Sequence, residues 1–239
     1  MRPTRRLAVA GLVALAMTAG AAHARGQLQT RQTSIELPVG QRAGRLVLAN
    51  TGDAPMAAQI RVYAWSQDGN DDQLEPTDAM TASPPILEIA AGGEQLVRLV
   101  RDTAAAVAGE QAYRVVVDEL PGDPTGNEGS AVTVRMRYVL PMFVRAADPA
   151  PAALDCRIDQ QSVACRNSGG IAAQLSAAQL VDARGRRVEL APGLLGYVLA
   201  NSARRFPLDA AKLATVGMPA ALEVSLNGQP ASIDLRPDL

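Results

Sequence analysis

The sequence predicts an all-β protein built from two sandwiches joined by a short spacer. Short apolar runs recur along the chain, split by Gly, Pro, Asn and Asp, which is the pattern of many strands with turns between them. Several runs alternate apolar and polar residues with a period of two, as a half-buried strand requires. An Ala/Pro-rich stretch, Ala146-Ala147-Asp148-Pro149-Ala150-Pro151-Ala152-Ala153, divides the strand-rich remainder into two parts of sandwich size.

Arg2, Arg5 and Arg6 precede an apolar run over 7–19 and the small-x-small triplet Ala22-His23-Ala24. This three-part pattern predicts a secretory signal peptide over 1–24, cleaved after Ala24, and hence a soluble, exported protein with no stable membrane insertion. Arg45-Leu46-Val47-Leu48-Ala49-Asn50 reads as a strand ending at Thr51-Gly52-Asp53. Gln59-Ile60-Arg61-Val62-Tyr63-Ala64-Trp65 alternates and stops at the polar turn Gln67-Asp68-Gly69-Asn70. Leu96-Val97-Arg98-Leu99-Val100-Arg101 and Tyr113-Arg114-Val115-Val116-Val117 are further strands, with Gly92-Gly93 as a turn. Weak helical character is confined to 103–110 and 209–215.

The longest run covers 131–145 and follows a ten-residue loop, 121–130, rich in Pro and Gly. Within it Val132, Val134, Met136, Tyr138 and Leu140 share one face of a strand, and Thr133, Arg135, Arg137 and Val139 the other. Pro141 is tolerated only at an edge or a bulge. Two readings stand: an edge strand that turns its apolar face to its own core, or an edge that offers backbone groups and apolar side chains to another chain.

Composition narrows the chemistry. Acidic and basic residues number 24 and 23, so no basic excess drives nucleic-acid binding. Hydrophobic residues make up 48% and aromatic ones 3%, enough to fill cores with Ala and Val. His23 is the sole histidine, and cleavage removes it, which excludes His-based triads, metal sites and pH switches. No nucleophile elbow, phosphate loop or carboxylate dyad is present. The expectation is a binding protein, not an enzyme, with no cofactor and no metal. Cys156 and Cys165 flank a turn at Asp159-Gln160-Gln161-Ser162, and in an oxidising compartment that spacing predicts a disulfide across a hairpin.

Taken together, six ordered stretches resemble the periplasmic chaperones of the chaperone–usher pilus pathway. They are Leu46-Val47-Leu48-Ala49-Asn50-Thr51-Gly52, Gln59-Ile60-Arg61-Val62-Tyr63-Ala64-Trp65, Ser83-Pro84-Pro85-Ile86-Leu87-Glu88-Ile89, Gly92-Gly93-Glu94-Gln95-Leu96-Val97-Arg98-Leu99, Tyr113-Arg114-Val115-Val116-Val117-Asp118-Glu119-Leu120-Pro121 and Val134-Arg135-Met136-Arg137-Tyr138. Their wording is nearest the archaic branch, which serves Csu-type and spore-coat-U-like pilins. The resemblance implies two immunoglobulin-like domains, 25–146 and 147–239, in an L-shaped (boomerang) arrangement. It implies partners: a pilus subunit held in the cleft, and an outer-membrane usher that receives it. The last strand of the first domain would complete the subunit's fold (donor-strand complementation), through Val132, Val134, Met136, Tyr138 and Leu140. The family also anchors the subunit's C-terminal carboxylate with basic cleft residues. One of these falls here on Ser34, a departure, with Arg31 three residues away. Arg98, Arg137 and Arg135 remain as candidates, since arginine suits bidentate carboxylate binding. Glu119 and Arg145 match positions of an interdomain charge network, and Pro84 or Pro85 is a candidate cis proline. The competing reading is a structural or adhesive two-domain pilus component.

Overall fold

The structure is a computed structural model that describes residues 28–103, 105–122, 134–159 and 161–237. Strands are numbered along the chain. The first ten are β1 (Leu28–Thr30), β2 (Ile35–Leu37), β3 (Ala43–Asn50), β4 (Met56–Gln67), β5 (Asp72–Pro76), β6 (Met80–Ser83), β7 (Ile86–Ile89), β8 (Glu94–Arg101), β9 (Gln111–Glu119) and β10 (Arg137–Val144). Among the described residues they form a four-stranded sheet, β1-β3-β8-β6, and a six-stranded sheet, β2-β10-β9-β4-β5, with β7 also on β4. The period-two pattern decides the faces. In β4, Ala58, Ile60 and Val62 point into the core, while Arg61, Tyr63 and Trp65 point away from it. Leu46, Leu48, Val97 and Leu99 from one sheet meet Ile60, Val115, Val117 and Met142 from the other.

The chain then makes a second sandwich. It comprises β11 (Leu154–Ile158), β12 (Ser162–Asn167), β13 (Ala173–Asp182), β14 (Arg187–Val198), β15 (Ala203–Pro207), the short helix α1 (Ala210–Leu213), β16 (Pro219–Leu226) and β17 (Gln229–Pro237). The hydrogen-bonded path is β14-β13-β16-β17-β11-β12-β15. β17 joins the two layers, running antiparallel to β16 and then, from Leu235, parallel to β11. Leu175, Leu180, Val198, Phe206 and Leu222 fill the core, along with Cys156 and Cys165. The two cysteines face each other across β11 and β12 and form the expected disulfide.

Aspartate side chains cap the expected turns. Asp68 Oδ1 accepts from the N–H groups of Asn70 (2.9 Å) and Asp71 (3.0 Å), and Gly69 takes a φ of 101°. Asp159 Oδ1 likewise accepts from Gln161 and Ser162. The Ser83–Pro84 peptide bond is cis.

Three sequence expectations need correction. The described residues of 103–110 form loop and turn, not helix; Val107 alone packs on the core, too little apolar face to hold so short a segment helical. In 209–215 only Ala210–Leu213 is helical, opened by an Asp209 side chain that accepts from Ala211 N–H. The strand placed at 132–140 begins at Arg137 and runs on to Val144. Its partner explains the shift: after Glu119 the next residue whose N–H would face β10 is Pro121, which has none, so the ladder ends at Glu119.

Candidate functional site: an open strand edge beside the junction of two sandwiches

β10 is paired along its whole length on one side and only in part on the other. It runs antiparallel to β9 from Arg137 to Val144. On its other side only Met142, Phe143 and Val144 pair, in parallel with Ile35, Glu36 and Leu37 of β2. Among the described residues no strand lies beside 137–141 on that side.

Two hydrogen bonds fix which backbone groups face which way. The Glu119 N–H donates to the Met136 carbonyl (3.0 Å), and the Arg145 N–H donates to the Leu37 carbonyl (2.9 Å). Even-numbered residues therefore bond towards β9, and odd-numbered ones face β2 and the open rim. Arg137 and Val139 point their N–H groups at the rim. Pro141 sits where the missing donor costs no β9 bond, which satisfies its edge requirement.

The apolar side chains form a gradient along this edge. Val134 is 74% exposed and Leu140 only 7%. Between them Met136 and Tyr138 are half-buried, packed on the rim of the first core. The Tyr138 hydroxyl donates to the Leu28 carbonyl of β1 (2.7 Å), spanning the two sheets. Val132 lies outside the described residues. Glu119 holds this end of the strand, since its carboxylate also accepts from Met136 N–H (3.1 Å). Both of these Glu119 bonds lie within the first sandwich.

The outward face of the six-stranded sheet leads from this edge to the second sandwich. Arg137 and Arg61 both pair with Asp118, the Arg61 contact at 2.6 Å. Burial raises the Asp118 pKa, but hydrogen bonds from the two guanidinium groups outweigh it and leave the carboxyl below its ordinary value. Further along lie Arg114, Trp65 and Phe143. Trp65 and Phe143 pack with Tyr197, Ala172 and Leu199 of the second sandwich in a separate buried cluster. Trp65 meets Tyr197 edge-on at 5.5 Å, and the Arg114 guanidinium lies 3.5 Å from the Trp65 ring centre. Burial there pulls the Arg114 pKa down, and Asp72 opposes the shift.

Polar groups complete the junction. Arg145 joins Glu36 (2.6 Å) and the buried Glu110, whose other oxygen accepts from Ala172 N–H (2.8 Å). Arg204 of β15 bonds Asp72 at 3.1 Å. Gln67 bonds the backbone at Tyr197 and Leu199.

The other candidate arginines fall elsewhere. Arg98 is exposed on β8 of the four-stranded sheet, opposite Arg45, so it does not share a sheet with Arg137. Arg135 is exposed just before β10, and Ser34 is exposed just before β2. Arg31 pairs with Glu94 at 2.8 Å. Sequence reasoning missed Gln67, Asp72, Glu110, Arg114 and Arg204. One signal was available: Arg61, Tyr63, Trp65 and Gln67 share the outward face of β4, and an outward tryptophan on a sandwich strand implies a covering partner.

The sequence model of the family described as pili and flagellar-assembly chaperone, PapD N-terminal domain, matches residues 27–150 of the 239. The chain belongs to this chaperone family. A search of curated proteins gives no significant match. Among solved structures, the chaperone–tip adhesion subunit complex CsuC–CsuE from archaic Csu pili of Acinetobacter baumannii matches with a TM-score of 0.66 and 24% identity, over 90% of this chain and 100% of that one. The SafA pilin–SafB chaperone complex of Salmonella enterica matches at 0.62 and 16%, over 87% and 96%. The Escherichia coli chaperone DraB matches at 0.59 and 16%, over 88% and 97%. At these identities the three structures show a shared fold, and family membership rests on the sequence match.

Proposed function

We propose that this family member is a periplasmic chaperone that holds pilus subunits and passes them to an outer-membrane usher. The mechanism is strand donation. A subunit lacking a final strand exposes an apolar groove and unpaired backbone edges, both of which aggregate readily. The open rim at 137–141 offers the N–H groups of Arg137 and Val139 to one edge of that groove. Val132, Val134, Met136 and Tyr138 enter the groove as alternating side chains, and Leu140, buried in the first core, marks the end of the donated face. The single observation that carries this reading is the one-sided pairing of β10 beside half-buried apolar side chains. The solved relatives support it, since two of them are complexes of a chaperone with a pilus subunit.

In this reading 25–146 and 147–239 are immunoglobulin-like domains set in an L around the cleft, and the chain falls in the archaic branch. The signal peptide assigned to 1–24 lies outside the described residues. Of the anchor candidates, Arg137 is best placed for a subunit carboxylate, because it lies on the outward sheet face next to the rim. Arg135 is adjacent, while Arg98 would act from the opposite sheet. Arg145 fixes the cleft through Glu36 and Glu110.

The test is co-expression with a pilus subunit from the same genome, followed by co-purification. Met136→Arg and Tyr138→Asp are expected to abolish recovery of the subunit. Both residues also pack on their own core, so Val134→Asp, at an exposed position, is the cleaner variant: subunit recovery falls while thermal melting is unchanged. Arg137→Ala weakens recovery with unchanged melting. Full recovery with Met136→Arg, Tyr138→Asp and Val134→Asp alike contradicts strand donation.

A further inference from the structure

The side chain of Gln67 ties the two sandwiches together in the manner of a backbone. Its Nε2 donates to the Tyr197 carbonyl at 2.9 Å, and its Oε1 accepts from the Leu199 N–H at 2.9 Å. In a parallel ladder one residue's N–H and C=O bond to the residues before and after its opposite number. The Gln67 amide supplies that pair of groups to the residues flanking Val198, so a side chain serves as one rung added to the end of β14. The amide cannot turn over. Nε2 also donates to Asp72 Oδ1 at 2.9 Å, and a flipped amide would set oxygen against two acceptors and nitrogen against a donor.

The ring contacts and the exposed ion pair around it allow sliding where this one does not, and the Ala172 N–H bond to Glu110 fixes one direction only. Trp65, Phe143 and Tyr197 meet at tilted and edge-on angles with ring centres 5.5 to 5.9 Å apart, and such contacts tolerate small rotations. The Arg204–Asp72 ion pair is partly exposed and has little angular demand. The Gln67 rung requires two directions to be met at once. It also extends β4, the strand whose outward face carries Arg61, Tyr63 and Trp65 towards the open rim.

We infer that Gln67 is a positioning residue: it sets the orientation of the second sandwich over the outward face of the six-stranded sheet, and thereby the aperture in which a subunit is held. The inference rests on the proposed chaperone function for its consequence, but not for its geometry.

Two variants test it in the full-length protein. Gln67→Met keeps the length and removes both bonds. Gln67→Glu keeps the shape but turns an oxygen on the Tyr197 carbonyl and on Asp72. Residual dipolar couplings of the free protein report the orientation of the two sandwiches. Wild-type couplings are expected to fit one orientation. In Gln67→Met, loss of the two hydrogen bonds across the junction is expected to raise the share of other orientations roughly thirtyfold, which is about 2 kcal/mol at 1.4 kcal/mol per tenfold. Couplings within each sandwich stay unchanged, which separates misorientation from unfolding. Subunit recovery on co-expression falls in step. If both variants keep the wild-type orientation, or if the orientation shifts while recovery stays at the wild-type level, the positioning role is overturned. Should the wild type itself recover no subunit, the chaperone reading fails and the coupling measurement still decides the geometry.

Discussion

Asn50 and Asn167 occupy equivalent places in the two halves, and each does the work of a turn's missing partners. Asn50 donates to the Ala54 and Ile89 carbonyls and accepts from Gly52 N–H. Asn167 donates to the Ile171 and Val198 carbonyls and accepts from Gly169 N–H. Both side chains are buried, and each precedes a Thr or Ser and a Gly. Gly169 is also sterically required, since a Cβ there would lie 2.1 Å from the Pro151 carbonyl oxygen. Asp182 is a third buried polar group with every oxygen used. Burial raises its pKa, but bonds from the N–H groups of Gly217, Arg186 and Arg184 and from the Arg186 side chain hold the carboxyl well below the usual carboxylate range. A carboxyl depressed in the folded state stabilises above its unfolded pKa of about 3.9, and that stability fades as pH falls towards the folded value. Asp182→Asn is therefore expected to be less stable than wild type at neutral pH, with the gap narrowing as the pH drops below about 4. Urea midpoints across this range check it; a gap that stays constant or widens contradicts it. The sequence showed Asn50-Thr51-Gly52 as a turn but gave no sign of the buried carbonyls, because Ile89 is supplied by a strand far along the chain.

At the scale of elements, the strands were legible because each has one buried face and so carries a period-two pattern. What periodicity does not record is where a ladder stops. The run over 131–145 alternates beyond the point where β9 ends, so the start of β10 was placed too early. The signal that decides it, Pro121, lies just past the end of the partner strand. The β11–β12 hairpin shows local legibility at its best: spacing, turn and cysteines lie within one stretch, and the disulfide forms across it. Closing so short a loop restricts the unfolded chain by about 2.5–3 kcal/mol. The Cys156→Ala/Cys165→Ala double variant is expected to lose about that much in denaturant unfolding, with additional loss from the vacated core volume. An unchanged midpoint would show that the bridge adds nothing to the stability of the hairpin.

Across the whole molecule, the fold and the candidate edge were readable, while the junction was not. Trp65 reads as an ordinary packing residue in sequence, and it does pack, but against the other sandwich. Gln67 finds its partners about 130 positions away, at the end of β14. Such pairings follow from the orientation of two independent cores, and no spacing rule encodes them. The edge was legible because its requirements are local: alternating apolar residues, a proline confined to an edge, and a Pro/Gly-rich loop before it. The account of the molecule turns on whether that edge is empty in the free protein and filled by a subunit. Amide hydrogen exchange at Arg137 and Val139 measures this directly, with the β9-facing Tyr138 and Leu140 as internal references. Fast exchange at Arg137 and Val139 in the free protein, becoming slow when a pilus subunit is bound, is the predicted result. Protection already present in the free protein, or exchange that stays fast in the complex, would contradict it.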